Sequence, residues 1–290
     1  MKVKKVLVTG VSGFIGRAIA KYLYQSGYEV IGICRRSLEE SDVRLIHMDL
    51  SSKIELNETF DVIVHAAGEL PVRTSELSHY AAQDFNSFKR NNVDAMENLL
   101  DFAKSHSVSR LIYLSSIAVY GEFEEEVIDE DSKRINQNVY GLTKYMGEML
   151  LKACSGVEGI SLRMPGVIGP GMNGVWLANI AAKIKKGEDV TIYTPDFQTK
   201  NFVWIDDLTV FVKHLIELDE WRYDTLVLAC EKSASIRQIV DQIKGCTGSK
   251  SKVSVDNSIR KPFCLDASKA FEMGYRSMGP LEIVEKACLC

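Results

Sequence analysis

The sequence predicts an α/β fold, a doubly wound parallel sheet with helices on both faces, followed by a smaller C-terminal α/β domain. Two observations carry this. Up to residue 165, short apolar runs bounded by turn residues alternate with longer stretches of helical spacing. Runs that are apolar at every position belong to strands buried on both faces, which is how parallel sheets read. After Arg163 the character changes. Pro165, Gly166, Gly169, Pro170, Gly171 and Gly174 crowd together, the composition of a loop, and shorter mixed elements come after it. The domains are placed at 1–165 and 166–290, with exchange of chain between them allowed for.

Taken in order, the strands fall at 6–8, 30–33, 45–48, 62–64, 111–114 and 160–162. Helical spacing fills 15–25, 80–106 and 140–154 between them. Beyond the loop, a helix is expected at 176–186, strands at 190–193 and 202–205, and a helix at 236–244. Six strands alternating with helices is the size of a dinucleotide-binding domain.

Composition excludes several classes. Hydrophobic residues make up 46% and charged residues 26%, ordinary globular proportions. A formal net charge of −4 leaves no surplus of base to neutralise phosphates, so no nucleic-acid partner is expected. The basic clusters at 2–5 and 183–186 read as solvated faces. The N-terminal apolar run stops at Thr9-Gly10, too short for a signal peptide. No stretch approaches the roughly 18 apolar residues that cross a membrane, and a soluble, cytoplasmic protein is expected. The seven cysteines form no CxxC pair, so neither a zinc ribbon nor a dithiol oxidoreductase is expected, and no metal. Cys288 and Cys290 form a CxC tail, read as unremarkable.

The first βα turn reads Thr9-Gly10-Val11-Ser12-Gly13-Phe14-Ile15-Gly16. Glycines at 10, 13 and 16 let backbone approach a pyrophosphate at a helix N-terminus, where free N–H groups and the helix dipole favour an anion. Strand, glycine turn, helix and second strand supply the context in which this pattern means a dinucleotide site. Gly10, Ser12, Gly13, Phe14, Ile15 and Gly16 are the expected contacts. The second strand ends in Cys34-Arg35-Arg36, without the acid that would accept the ribose hydroxyls of NAD. Arg35 and Arg36 suit the 2′-phosphate of NADP, so NADP is expected, with NAD possible. Asp49 and Leu50 after the third strand suit the adenine edge. Ala66, Ala67 and Gly68 after the fourth let backbone lie against the cofactor.

Tyr140 and Lys144 stand four apart on a helix and share a face. A neighbouring lysine cation favours the phenolate, which lets a tyrosine exchange a proton with an alcohol or ketone oxygen. Ser115 and Ser116 tip the fifth strand, at the sheet edge where ligands bind. Among eleven tyrosines the YxxxK spacing occurs only here.

These residues belong to a larger pattern: TGVSGFIG at the start, DL at 49–50, HAAG at 65–68, LSSIAVYG at 114–121 and YGLTKYMGE at 140–148. LRMPGVIGP at 162–170, NFVWIDDL at 201–208 and LDASKA at 265–270 continue it. The chain resembles the extended short-chain dehydrogenase/reductases, which include nucleotide-sugar epimerases, dehydratases and ketoreductases. The resemblance implies a Rossmann-type N-terminal domain, a smaller substrate-binding domain, and Ser116, Tyr140 and Lys144 as the catalytic set, with Ser115 as fallback beside Ser116. It further implies that Tyr140 and Lys144 contact the cofactor, and that Ser115, Ser116 and Lys200 face substrate. Lys200 lies near a position where relatives use arginine on a substrate phosphate, and a solvated lysine is the alternative. Homodimers through the helices at 80–106 and 140–154 are also implied.

Departures from the family narrow the reaction. Dehydratases carry an acidic pair after the catalytic serine or threonine, where Ile117 and Ala118 stand here. Ile117 also cannot replace the cysteine of epimerase-reductases. Gly166 replaces the asparagine that many relatives place on the sugar nucleotide. The expected function is NADP-dependent reduction of a keto group, most of all on a nucleotide-activated 4-keto-6-deoxy sugar. The alternatives are an NAD-dependent nucleotide-sugar 4-epimerase and, of another class, a catalytically silent NADP-binding sensor or scaffold.

Overall fold

The computed structural model describes residues 4–36, 41–71, 84–172, 175–256 and 261–289. The chain forms two compact units. The first takes the residues up to Glu122, Arg134–Arg163 and Thr209–Leu226; the second takes Phe123–Lys133, Met164–Leu208 and the chain from Val227 onward.

The first unit is built on a seven-stranded sheet. Its spatial order is Thr225–Val227, Glu158–Met164, Arg110–Ser116, Val62–His65, Lys5–Thr9, Glu29–Cys34 and Arg44–His47. The five strands from Arg110–Ser116 to Arg44–His47 pair in parallel. Every expected strand is present. The seventh, Thr225–Val227, comes from far beyond the first six. Leu7, Ile31, Ile63, Leu111 and Tyr113 pack with Met96, Leu99 and Phe102 of the covering helix Ala95–Ser105 into one buried core. This burial is what selects strands for sequences apolar at every position.

The helix expected at 80–106 is divided. Residues 80–83 lie outside the described residues; from there the chain forms Phe85–Phe88, a π-wound turn Lys89–Asp94, and Ala95–Ser105. A π-turn inserts a residue into the helical ladder and rotates the turns beyond it, often at a functional site. The helix Val139–Ala153 starts where the Asn138 side chain accepts the Gly141 N–H at 2.8 Å.

The second unit pairs short strands. Phe202–Trp204 lies parallel to Gly166–Ile168, Val253–Asp256 to Val190–Tyr193, and Cys264–Leu265 to Val127–Ile128. Ile205, expected to end a strand, opens the helix Ile205–Glu217 instead. Ile236–Thr247 begins with a capping box formed by Ser235 and Gln238. It packs against Trp176–Lys185 and Pro280–Leu289. Among the described residues no helix is long and apolar enough to cross a membrane.

Candidate active site

The sheet ends bring the expected residues of the first unit together. Gly10 has φ +72°, and a Cβ there would stand 2.7 Å from the Ala67 Cα and N. The glycine turn and the Ala66–Gly68 loop therefore touch, and only glycine fits between them. Gly13 caps the helix Phe14–Gln25 without a side-chain hydrogen bond, and Gly10 O accepts the Gly13 N–H at 2.9 Å. The first-turn N–H groups of Phe14, Ile15 and Gly16 thus have no capping side chain over them, which suits a pyrophosphate. Ser12 is half-buried on the same turn.

Lys144 is 5% exposed. Its Nζ donates to Leu114 O at 2.6 Å and stands 4.1 Å from the Tyr113 ring centroid. A Cβ on Gly68 would lie 3.9 Å from the same Nζ and 3.1 Å from Asn92 Oδ1. Burial pushes Lys144 down to about 7, with Glu148 pulling the other way. Tyr140 is half-buried on the same helix, its ring 6.2 Å from Phe88 in an edge arrangement. Burial raises the phenol of Tyr113, and Tyr140 and then Glu148 add to the rise, so Tyr113 lies within the field of both residues.

The two serines have different surroundings because successive strand residues face opposite ways. Ser115 is 3% exposed and donates to Glu148 Oε1 at 2.5 Å. Expected at the substrate, it is instead taken up in a buried network. Ser116 is half-buried, and its Oγ accepts the Ala118 N–H at 3.2 Å, capping the short turn Ile117–Tyr120. That bond uses a lone pair and leaves the hydroxyl proton free to be donated.

Further side chains tie these segments together, and among them Asn92 lies in none of the sequence motifs. Asn92, 2% exposed on the π-turn, accepts the Glu69 N–H at 2.7 Å and donates to Thr143 Oγ1 at 3.0 Å. It ties the loop after Gly68 to the helix of Tyr140 and Lys144. Thr9 Oγ1 accepts the Ala67 N–H at 3.1 Å and contacts His65 Nδ1 at 2.8 Å. His65 is pushed down to about 3, first by burial and then by the Lys144 charge, so it stays neutral. Glu148 grips Arg163, with 2.7 Å from Nη2 to Oε2, and Arg163 also donates to Tyr120 Oη at 3.0 Å. Glu148 closes the YGLTKYMGE segment four residues after Lys144, a charge on a helix face turned inward.

At the ends of the second and third strands, Arg35 Nη1 donates to Asn91 Oδ1 at 2.7 Å, and Asn91 donates to Glu69 Oε2 at 2.6 Å. Arg36 is exposed. Burial acts to raise Asp49, but hydrogen bonds from Ser51 and the charges of Arg35 and Arg90 bring it below the usual carboxylate range. Leu50 is buried beside it. Lys200 belongs to the second unit, where it is half-buried and its carbonyl accepts the N–H groups of Phe202 and Cys230. In that unit a Cβ on Gly166 would stand 2.3 Å from Val175 Cγ1, so valine takes the space an asparagine would enter. Among the described residues no cluster of three or more metal-ligating side chains exists.

A family model, the NAD dependent epimerase/dehydratase family, matches residues 6–227. The chain belongs to this family. Its members are NAD(P)-dependent epimerases and reductases, so the chain is of an enzyme family. An uncharacterized UDP-glucose epimerase of Bacillus subtilis, YtcB, is 26% identical over 88% of this chain and 86% of its own length. A dTDP-4-dehydro-6-deoxy-D-allose reductase of Streptomyces is 25% identical over 88% of this chain and 85% of its own. Among solved structures, MoeE5 in complex with UDP-glucuronic acid and NAD superposes with a TM-score of 0.81 at 25% identity, covering 98% of both chains.

The geometry makes the glycine at the start of the Tyr140 helix a sensitive position. A Cβ at position 141 would lie 2.0 Å from Ala118 O, so Gly141→Ala must push that helix start away from the Ser116 turn. Misplacement on that scale costs about 10²-fold in rate. We expect such a loss with unchanged circular dichroism; wild-type turnover would show that the two segments need not be so close.

Lys144 gives a pH dependence of stability. Its native value, about 7, lies below the ordinary 10.5 of the unfolded chain. Between these two values the unfolded chain binds more protons, so the lysine's contribution to stability rises with pH. The destabilisation is fully present below pH 7 and disappears by about pH 10.5. In thermal melts, Lys144→Met is expected to gain most relative to wild type below pH 7 and to lose most of that advantage by about pH 10.5. A gap independent of pH would contradict a depressed lysine.

Proposed function

We propose that this chain is a nucleotide-sugar 4-epimerase that holds a nicotinamide dinucleotide and works through Ser116, Tyr140 and Lys144. The observation that carries the reading is the placement of Lys144 beside the Gly68 loop, on the helix of Tyr140. It is supported by the whole-length match to a protein that holds a UDP-sugar and NAD. The glycine turn, the uncapped helix N-terminus and the Ala66–Gly68 loop fit the cofactor's pyrophosphate and ribose.

A nicotinamide held by the glycine turn and the Ala66–Gly68 loop would supply the hydride chemistry, accepting hydride from a sugar carbon and allowing its return to the opposite face. Tyr140 takes the proton of the adjoining hydroxyl as the ketone forms and gives it back to that oxygen as the ketone is reduced. Ser116, whose proton is free, donates a hydrogen bond to that oxygen where charge develops. Lys144, when charged, favours the phenolate of Tyr140 and would hold the nicotinamide ribose, a role its place beside Gly68 supports. Ser115, spent on Glu148, has no part; Lys200 is kept as a candidate for the substrate phosphate.

Arg35 bears on the choice of cofactor. Its guanidinium is already engaged by Asn91 and faces Asp49, which favours NAD over the NADP expected from the arginine pair. The second reading, an NADP-dependent ketoreductase, rests on the exposed Arg36 and on the likeness to the Streptomyces reductase. Purified protein is expected to carry NAD and to interconvert C4 epimers of a UDP-hexose or UDP-hexuronate with no added reductant. Stoichiometric NADPH oxidation by a 4-keto sugar, without epimerisation, would give the second reading precedence. In fluorescence titrations, Arg35→Ala with Arg36→Ala is expected to leave NADH affinity unchanged. A large, selective loss of NADPH affinity would establish a 2′-phosphate site.

A further inference from the structure

Thr9, His65 and Tyr113 are register partners on three neighbouring parallel strands, so their side chains form one row on one face of the sheet. The row meets the helix Val139–Ala153. Lys144 Nζ stands 4.1 Å from the Tyr113 ring centroid, and a Cβ on Gly147 would lie 2.6 Å from Tyr113 Oη. His65 stacks on the same ring, with centroids 5.4 Å apart and planes 16° from parallel. Tyr113 is 1% exposed, and its hydroxyl has no hydrogen-bond partner among the described residues. The oxygen anchors nothing there, so what this side chain offers its neighbours is the face of its ring.

We propose that Tyr113 is a positioning residue, a ring that holds the Lys144 ammonium in its charged form beside the Gly68 loop. This rests on the reading in which the Lys144 cation serves Tyr140, and it names what sustains that cation. Leu114 O accepts one of the ammonium protons at 2.6 Å, and burial opposes the charge. The negative face of an aromatic ring attracts a cation most strongly where water is shut out, and Tyr113 places such a face against the ammonium. The other groups around Lys144 do not replace it. His65, from the strand Val62–His65, stays neutral. Glu148, on the lysine's own helix, favours the cation, but its oxygens are taken by Arg163 of Glu158–Met164 and by Ser115. Tyr140 shares the helix and is the group the cation serves. Thr9 of the first strand and Asn92 of the π-turn carry no charge. The ring also fixes where the ammonium sits, because Gly147 and His65 together leave Tyr113 no room to turn aside.

The test follows Lys144 itself by nuclear magnetic resonance as pH is raised, in the full chain isotope-labelled at lysine Cε. The resonance is assigned by its loss in Lys144→Met. Expected is a midpoint near 7 in the wild type and the same midpoint in Tyr113→Phe, which keeps the ring. In Tyr113→Leu the midpoint is expected about one pH unit lower, roughly a tenfold shift in the protonation equilibrium. Leucine also changes the packing, so phenylalanines of rising ring fluorination at position 113 keep the shape while draining charge from the ring face. The midpoint is expected to fall with each added fluorine. A midpoint that fluorination leaves unmoved, or one that falls as far in Tyr113→Phe as in Tyr113→Leu, would overturn the proposal. The titration needs no substrate. A failure of the 4-epimerase reading would show instead as no epimerisation by the wild type while these midpoints hold.

Discussion

Tyr140→Phe is expected to lower turnover by about 10²–10⁴-fold, the usual share of a positioned general acid–base group, while dinucleotide affinity stays at the wild-type level. The change removes one hydroxyl and keeps the ring, so the edge contact with Phe88 survives. Lys144 keeps its anchorage on Leu114 O and over Tyr113, neither of which involves the lost atom. The readout is therefore a fall in kcat with cofactor titration unchanged. Retained turnover would remove Tyr140 from the chemistry. Loss of both turnover and cofactor binding would mean that the phenol is a ligand first.

Glu148→Ala is expected to cost about 3–5 kcal/mol of stability, the penalty for leaving one partner of a buried pair uncompensated. The Arg163 and Glu148 side chains are 3% and 5% exposed, so water cannot replace what is lost. Ser115 would lose its acceptor as well. Replacing both partners, Glu148→Leu with Arg163→Met, is expected to recover much of the loss in urea melts, because no charge is then left buried. A single variant as stable as wild type would mean that the network relaxes. Glu148→Gln probes the other consequence. Glu148 holds Lys144 up against burial, so the amide variant should titrate Lys144 at lower pH and move any activity that needs its cation toward acid.

Much of this architecture could be read before the structure, and the parts that could not share a physical cause. Strand segments such as Val62–Val64 and Val30–Ile33 carry no polar side chain because both faces are covered, and that leaves an unambiguous local trace. The glycine turn and the Tyr140–Lys144 spacing are likewise local. The π-turn at Lys89–Asp94 has no local trace: its Asn91 and Asn92 gain meaning only from Glu69, Arg35 and Thr143, which are distant in sequence. Ser115 and Ser116 could not be separated by composition, because strand alternation decides which meets Glu148. The arginine pair shows the same limit. The sequence displays the charges of Arg35 and Arg36, but not the asparagine that engages the first of them.

The return of Thr225–Val227 to the edge of the large sheet has a consequence for how the protein is made. A nascent chain released as far as residue 165 holds six of the seven strands, yet Glu158–Met164 is then an open border of unpaired amides and carbonyls. Such borders invite pairing with other chains. Residues 164–208, which build much of the second unit, must leave the ribosome before the strand that closes this border does. Biogenesis therefore cannot proceed as one finished unit followed by another: the first body stays unsealed until synthesis has passed residue 227, and a gene cut between the two would yield an aggregation-prone half.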